Sequence, residues 1–140
     1  MEKILVIGQA PPSQKQEVPY DSTMFYDWLA EIGISKEQAQ DIFDWDAVYD
    51  KFPGFEDGGH ALPTVAQMDN YYHTSLKQKI ANHQKVLVLG TVAKAFIVDK
   101  LSGKDYLCLM HPSKRNIDRY KKDKISIIAK LKLFINMKIS

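Results

Sequence analysis

The sequence predicts an α/β protein, a three-layer α/β/α arrangement around a central parallel sheet of about four strands. Two observations carry that prediction. Short continuous apolar runs at Lys3–Ile7, Lys85–Leu89 and Tyr106–Met110 are of the kind found in strands buried on both faces. Stretches of helical period stand between them, and strands that alternate with helices imply parallel pairing with helices on both sides of the sheet.

Each element has a local reason. Lys3–Ile7 is the first strand, and Pro11-Pro12 ends it. Residues 13–20 read as loop. Asp21 or Ser22 can cap a helix over Thr23–Ile32, whose Phe25, Trp28, Leu29 and Ile32 share one face. Gly33 stops it. Ser35 can cap a second helix running to Ile42, with Glu37 in its first turn. Phe43–Tyr49 fits either a short strand or an extended loop. Phe52–Pro63 holds Pro53-Gly54 and Gly58-Gly59 and reads as loop. Thr64 caps a helix over Val65–His83. After the strand Lys85–Leu89, Gly90-Thr91 turns into a helix over Val92–Leu101, which Gly103 ends. Tyr106–Met110 is the last strand. The final helix, Asn116 to Met137, carries an apolar stripe of Ile125, Ile128, Leu131 and Ile135, widened by Ile127 and Phe134.

The 140 residues suit one domain, 1–140, able to bury its own core. No apolar run is long enough to span a bilayer. Ile4–Ile7 is too short for a secretory signal, with Gln9 following so soon. The lone Cys108 excludes a disulfide framework and fits a reducing cytoplasm. Charge is unevenly placed. Residues 1–113 carry ten Lys/Arg against fifteen Asp/Glu, a net of −5; residues 114–138 carry nine against two, a net of +7. A basic end of this kind fits a polyanion, and equally a solvated helix face.

Two loops concentrate the chemistry. Gly8-Gln9-Ala10-Pro11-Pro12 follows the first strand, and His111-Pro112-Ser113-Lys114-Arg115-Asn116 follows the last. In an open α/β sheet, loops at the carboxyl ends of strands converge on one crevice, so segments a hundred residues apart can form one site. Gly8 permits a tight turn or a close backbone approach to a ligand. His111 fits either a satisfied structural residue or part of a nucleic-acid-binding loop, stiffened by Pro112 and flanked by Lys114 and Arg115. Nucleotide-phosphate fingerprints are absent, and Gly90-Thr91 is only a faint echo of one. His60, His73 and His83 have no metal-ligand spacing, and one cysteine makes no zinc signature. The acidic stretch Asp41, Asp44, Asp46, Asp50, Glu56 and Asp57 has no calcium-loop pattern and reads as solvated surface. Tyr71-Tyr72 and Phe25-Tyr26 read as helix packing. Without a Gly-x-Ser-x-Gly elbow, no hydrolase triad is indicated.

The two loops resemble the signature motifs of the uracil-DNA glycosylase superfamily. Gly8 to Pro12 looks like the first motif. His111 to Asn116 looks like the second, close to the form of the single-strand-selective type. Glu17-Val18-Pro19-Tyr20 stands where the superfamily places an aromatic that stacks on the base, and the element order matches throughout. The resemblance implies hydrolytic removal of uracil or a related damaged base from DNA, after the nucleotide leaves the stack. It implies that His111 donates a hydrogen bond to the departing base, a contribution of about 3–4 kcal/mol in comparable sites. Gln9 and the backbone at Gly8, Ala10 and Pro11 would hold the base edge, and Tyr20 would stack on it. Ser113 would grip a phosphate, Lys114, Arg115 and Asn116 would follow the strand, and the basic last helix would add salt-dependent affinity. No metal or organic cofactor is implied. The expected partner is DNA, with no membrane and with the protein as a monomer.

Three positions depart from the superfamily pattern. Ala10 stands where many members carry an Asp that orients water, a group whose general-base contribution is about 10²–10⁴ in rate. Asp46 is nearest to an Asn that reads uracil in several classes; an ionised carboxylate there would repel uracil O4 yet could accept from an exocyclic amine. Lys114 replaces a second proline. Ala10 and Asp46 keep open a module that holds DNA or a flipped base without cleaving it. An interaction protein using the acidic central stretch is the third reading.

Overall fold

The computed structural model describes residues 3–9, 23–51, 62–112 and 116–136, and the backbone of 55–56 and 59–60. Its centre is a four-stranded sheet of β1 (Ile4–Gly8), β2 (Phe43–Ala47), β5 (Lys85–Leu89) and β6 (Asp105–Leu109), in the order β2-β1-β5-β6. All three pairings are parallel, with Gly8 beside Ala47, Ile7 beside Val88, and Leu89 beside Leu109. β1 and β5 are central and buried along their whole length, which is why they are apolar apart from Lys85 at the start of β5.

β2 resolves the ambiguity of Phe43–Tyr49 in favour of a strand. It lies at the edge of the sheet and alternates: Phe43 and Trp45 face one way, Asp44 and Asp46 the other. It follows directly on α2 (Lys36–Ile42), whose Ser35 cap and Gln38 form a reciprocal capping box. α1 (Thr23–Glu31) buries Phe25, Trp28 and Leu29 and ends at Gly33, whose φ of +81° lets the chain turn back so that Ile34 N donates to Leu29 O.

Two corrections concern the middle of the chain. The segment expected as plain loop contains a short antiparallel pair, β3 (Phe55–Glu56) and β4 (Gly59–His60), with Phe55 opposite His60. The helix expected over Val65–His83 is interrupted. It consists of α3 (Val65–Tyr71), a π turn over Tyr72–Leu76, and α4 (Lys77–Ala81), so His83 lies beyond its end. Thr64 and Gln67 form the expected cap as a second capping box.

Helices cover both faces. α1, α2 and α6 (Ile117–Asn136) pack on the side of Val6, Phe43, Leu87, Leu89 and Leu109. α3, α4 and α5 (Thr91–Ile97, extended by a 3₁₀ turn Val98–Lys100) pack on the side of Leu5, Ile7, Val86 and Val88. On the first face Phe25 meets Trp28, Phe43 and Trp45 edge-on at 6.0, 5.5 and 5.6 Å, and Trp28 stacks on Tyr120 of α6 at 5.3 Å.

α6 is held at both ends. Near its start, Asn116 Nδ2 donates to the carbonyl of His111, just past the carboxyl end of β6. Near its finish, buried Lys85, the first residue of β5, donates from Nζ to the Phe134 carbonyl at 2.9 Å, a cation at a helix C-terminus. The helix therefore runs from the carboxyl edge of the sheet back to the amino edge. Its buried stripe is Ile127, Leu131 and Phe134, flanked by Tyr120, Ile128 and Ile135. Ile125, expected in that stripe, is 88% exposed. At 3.6 residues per turn it lies on the outward side once Leu131 and Phe134 define the inward one.

Candidate active site

All four strands deliver their carboxyl ends to one edge. Gln9, half-buried, follows β1; Val48 follows β2; Gly90 follows β5; Met110 and His111 follow β6. Backbone bonds tie these ends together, Val48 N to the Gly8 carbonyl at 3.0 Å and Gly90 N to the Leu109 carbonyl at 2.9 Å. The two sequence-predicted loops thus begin at the same edge. Their strands, β1 and β6, are separated only by β5, which sets them about 10 Å apart across the sheet. Gly90, at the end of that intervening strand, adopts φ +96° and presents bare Cα to the His111 side chain. Ala10, Pro11, Tyr20, Ser113, Lys114 and Arg115 lie outside the described residues.

Asn116 was expected on DNA. Its amide donates to the His111 carbonyl at 2.9 Å. Pro112 is buried. It restricts the backbone of His111 to extended values, so the loop leaves β6 in a fixed direction.

Asp46 sits at the carboxyl end of β2 with its carboxylate turned toward α3 and only 7% exposed. Its Oδ1 accepts from the Tyr71 hydroxyl at 2.7 Å and from Ala47 N at 2.7 Å, and its Oδ2 lies 3.2 Å from Lys79 Nζ. A carboxylate offers about four lone-pair sites, and three face these donors. Burial, and then the hydrogen bond and charge of Asp46, push the Tyr71 hydroxyl well above the ordinary tyrosine value, so it stays protonated and keeps donating. The π turn is what lets one helix make both contacts. Residues eight apart on a straight α-helix sit about 80° apart in rotation; the extra residue in a π turn takes back about 100° and brings Tyr71 and Lys79 to nearly the same side. Lys79 also donates to the Trp45 carbonyl at 3.1 Å. From the sequence Tyr71 reads as helix packing and Gly90 as a turn with a faint phosphate-loop echo, and Lys79 is not singled out. The signal for Lys79 was a cation due to face an edge strand that carries two carboxylates.

Asp44, one pleat back on the same face, meets a different set. His83 Nε2 lies 2.6 Å from its Oδ2, His83 Nδ1 lies 2.7 Å from the Lys79 carbonyl, and Lys3 Nζ is 3.7 Å from Oδ1. Burial acts to raise the Asp44 carboxyl, but the His83 hydrogen bond and the charges of Lys3, His83 and Lys79 outweigh it and hold it below the ordinary value. The acidic residues of β2 are therefore structural anchors for its outward edge rather than loose surface charge.

A model of the uracil DNA glycosylase superfamily matches residues 1–132. The chain belongs to that superfamily. A comparison with curated proteins returned no match. The parallel order β2-β1-β5-β6 with helices on both faces is consistent with the superfamily fold, and membership supports, at the level of the family, a glycosylase-type hydrolase of DNA repair. The matched span includes Gly8–Pro12 and His111–Asn116. Among the described residues no helix is long and apolar enough to cross a membrane.

Proposed function

We propose that the protein is a DNA glycosylase that hydrolyses the N-glycosidic bond of uracil or a related damaged base. The observation that carries this reading is the convergence of Gln9 and His111 on one sheet edge, on either side of the bare Gly90. In the reaction the bond from C1′ of the sugar to the base nitrogen breaks, and its electron pair leaves with the base. Water adds at C1′, leaving an abasic sugar and the free base. His111 donates a hydrogen bond to the base oxygen on which charge develops, and a fixed donor of this kind contributes about 3–4 kcal/mol. Gln9 and the backbone at Gly8, Ala10 and Pro11 hold the base edge, and Tyr20 stacks on its face. With alanine at position 10, bond breaking rests on the leaving-group contact more than on an activated water.

DNA is held by Ser113, Lys114 and Arg115, joined by Arg119, Lys121 and Lys122 in the first turns of α6. Asp46 keeps β2 in place through Tyr71 and Lys79. A second reading, a module that binds DNA without cleaving it, draws on Ala10 and on the engaged Asp46. Labelled oligonucleotides carrying uracil, hypoxanthine, xanthine, hydroxymethyluracil or a thymine mismatch, single- and double-stranded, test the two. Alkali-labile cleavage that is lost in His111→Ala supports the glycosylase. Salt-dependent binding with no abasic product on any substrate supports the module.

A further inference from the structure

We infer that Gly90 and Asn116 are positioning residues for His111, and that Asn116 acts on the protein rather than on DNA. The inference rests on the proposed role of His111 and adds what holds that side chain in place.

Gly90 forms a wall for the His111 side chain. A Cβ built on Gly90 would lie 3.2 Å from His111 Cβ, 3.4 Å from its Cδ2 and 3.7 Å from its Cγ. A side chain at 90 would therefore press on His111 Cβ, which must give by a few tenths of an ångström, and would come into contact with the edge of the ring. The wall is itself fixed, because Gly90 N donates to the Leu109 carbonyl, two residues before His111. Asn116 acts from the other direction. β6 ends at Leu109, so the His111 carbonyl has no place in the sheet ladder, and the Asn116 amide supplies its donor. Buried Pro112 stiffens the span between them. Ring wall, carbonyl and following peptide are each constrained, which is what a leaving-group donor needs if it is to meet charge only in the transition state.

Two other glycines offer a comparison. Gly33 and Gly103 have φ of +81° and +80°, close to the +96° of Gly90, but an added Cβ at either meets nothing within 4 Å. Gly90, at φ +96° and ψ 161°, lies in a region open essentially to glycine alone, so alanine there carries backbone strain as well as the contact with His111; alanine at Gly103 shares the positive φ without touching His111.

The test compares wild type, Gly90→Ala, Gly103→Ala and Asn116→Ala. Single-turnover rates and DNA affinity are measured on the best substrate of the oligonucleotide panel, beside NMR of the His111 ring. Wild type should show a cross-relaxation signal between the Gly90 α-protons and His111 Hδ2. Gly90→Ala should shift the His111 ring resonances and lower the rate about tenfold to a hundredfold, with DNA affinity within about twofold. Gly103→Ala should do neither. Asn116→Ala should lower the rate with affinity unchanged. The inference is overturned if Gly90→Ala loses no more than Gly103→Ala, or if Asn116→Ala weakens DNA binding while the bound complex reacts at the wild-type rate. A wild type silent on every substrate would refute the glycosylase reading alone, because the ring resonances still decide what positions His111. Should Gly90→Ala fail to fold, the wild-type cross-relaxation signal and Asn116→Ala still decide.

Discussion

The basic last helix does not present all its charge to one ligand. α6 has twenty residues and is pinned to the His111 loop at one end and to the start of β5 at the other. At 1.5 Å per residue, Lys121 and Lys122 lie about 7 Å along it from the loop, and Lys130 and Lys132 about 21 Å. The Debye length is about 8 Å at physiological salt, so for the proposed DNA in the crevice the near pair should act on it and the far pair should be screened from it. Lys124 is already paired with Glu31 at 2.9 Å. Each phosphate contact contributes about 0.9 to the slope of log K against log salt for duplex and about 0.7 for single strands. Replacing Lys121 and Lys122 together by serine should flatten the slope by about 1.8 or 1.4 respectively. Replacing Lys130 and Lys132 should leave it unchanged. Fluorescence anisotropy of a labelled oligonucleotide over a salt series measures both. Equal flattening by the two pairs would refute this placement, because it would require DNA to run the length of α6.

Three further outcomes follow from the packing and the charges. Leu131→Ala should cost about 2–5 kcal/mol in denaturant unfolding, because its side chain is fully enclosed, whereas Ile125→Ser should stay within about 0.5 kcal/mol. Tyr71→Phe should destabilise by about 1–2 kcal/mol in the same assay, since Asp46 loses a donor in a buried setting, and in the wild type this hydroxyl should stay protonated through an alkaline titration that ionises exposed tyrosines. Asp44 has a lowered folded value, so the stability it contributes is fully present above its ordinary 3.8 and is lost as pH falls through the lower folded value. Thermal melts from about pH 5 down to about pH 2 should therefore fall less steeply for Asp44→Asn than for wild type.

How much was legible varied with position in the sheet. β1 and β5 were plain because a strand covered on both faces is nearly all apolar, and the Ser35 and Thr64 caps were plain because capping is a local sequence pattern. β2 was ambiguous because an edge strand alternates, and its two aspartates look like surface until Tyr71, Lys79, His83 and Lys3 are brought to them from distant segments. Ile125 was misplaced because a helix rich in isoleucine offers several competing stripes, and only the positions of Tyr120, Leu131 and Phe134 against the sheet choose one. At the candidate site, His111 and Gln9 stood out through their loops. Gly90 did not, because the need for a bare Cα arises from a histidine twenty-one residues later, and no local pattern encodes that.

The π turn between α3 and α4 divides one helix into two rotational frames. Upstream, the frame is set by Tyr71 reaching the end of β2; downstream, by Leu76 and Ile80 entering the core and Lys79 returning to the same carboxylate. The extra residue acts as a phase shift, much as an inserted base shifts a reading frame. Deleting one residue from Tyr72–Leu76 would restore an uninterrupted α-helix and turn everything after it by about 100°. The core side chains of α4 and the lysine at Asp46 would then rotate away together. Length here is not neutral padding: the number of residues in this turn is itself a determinant of which groups meet at the edge of the sheet.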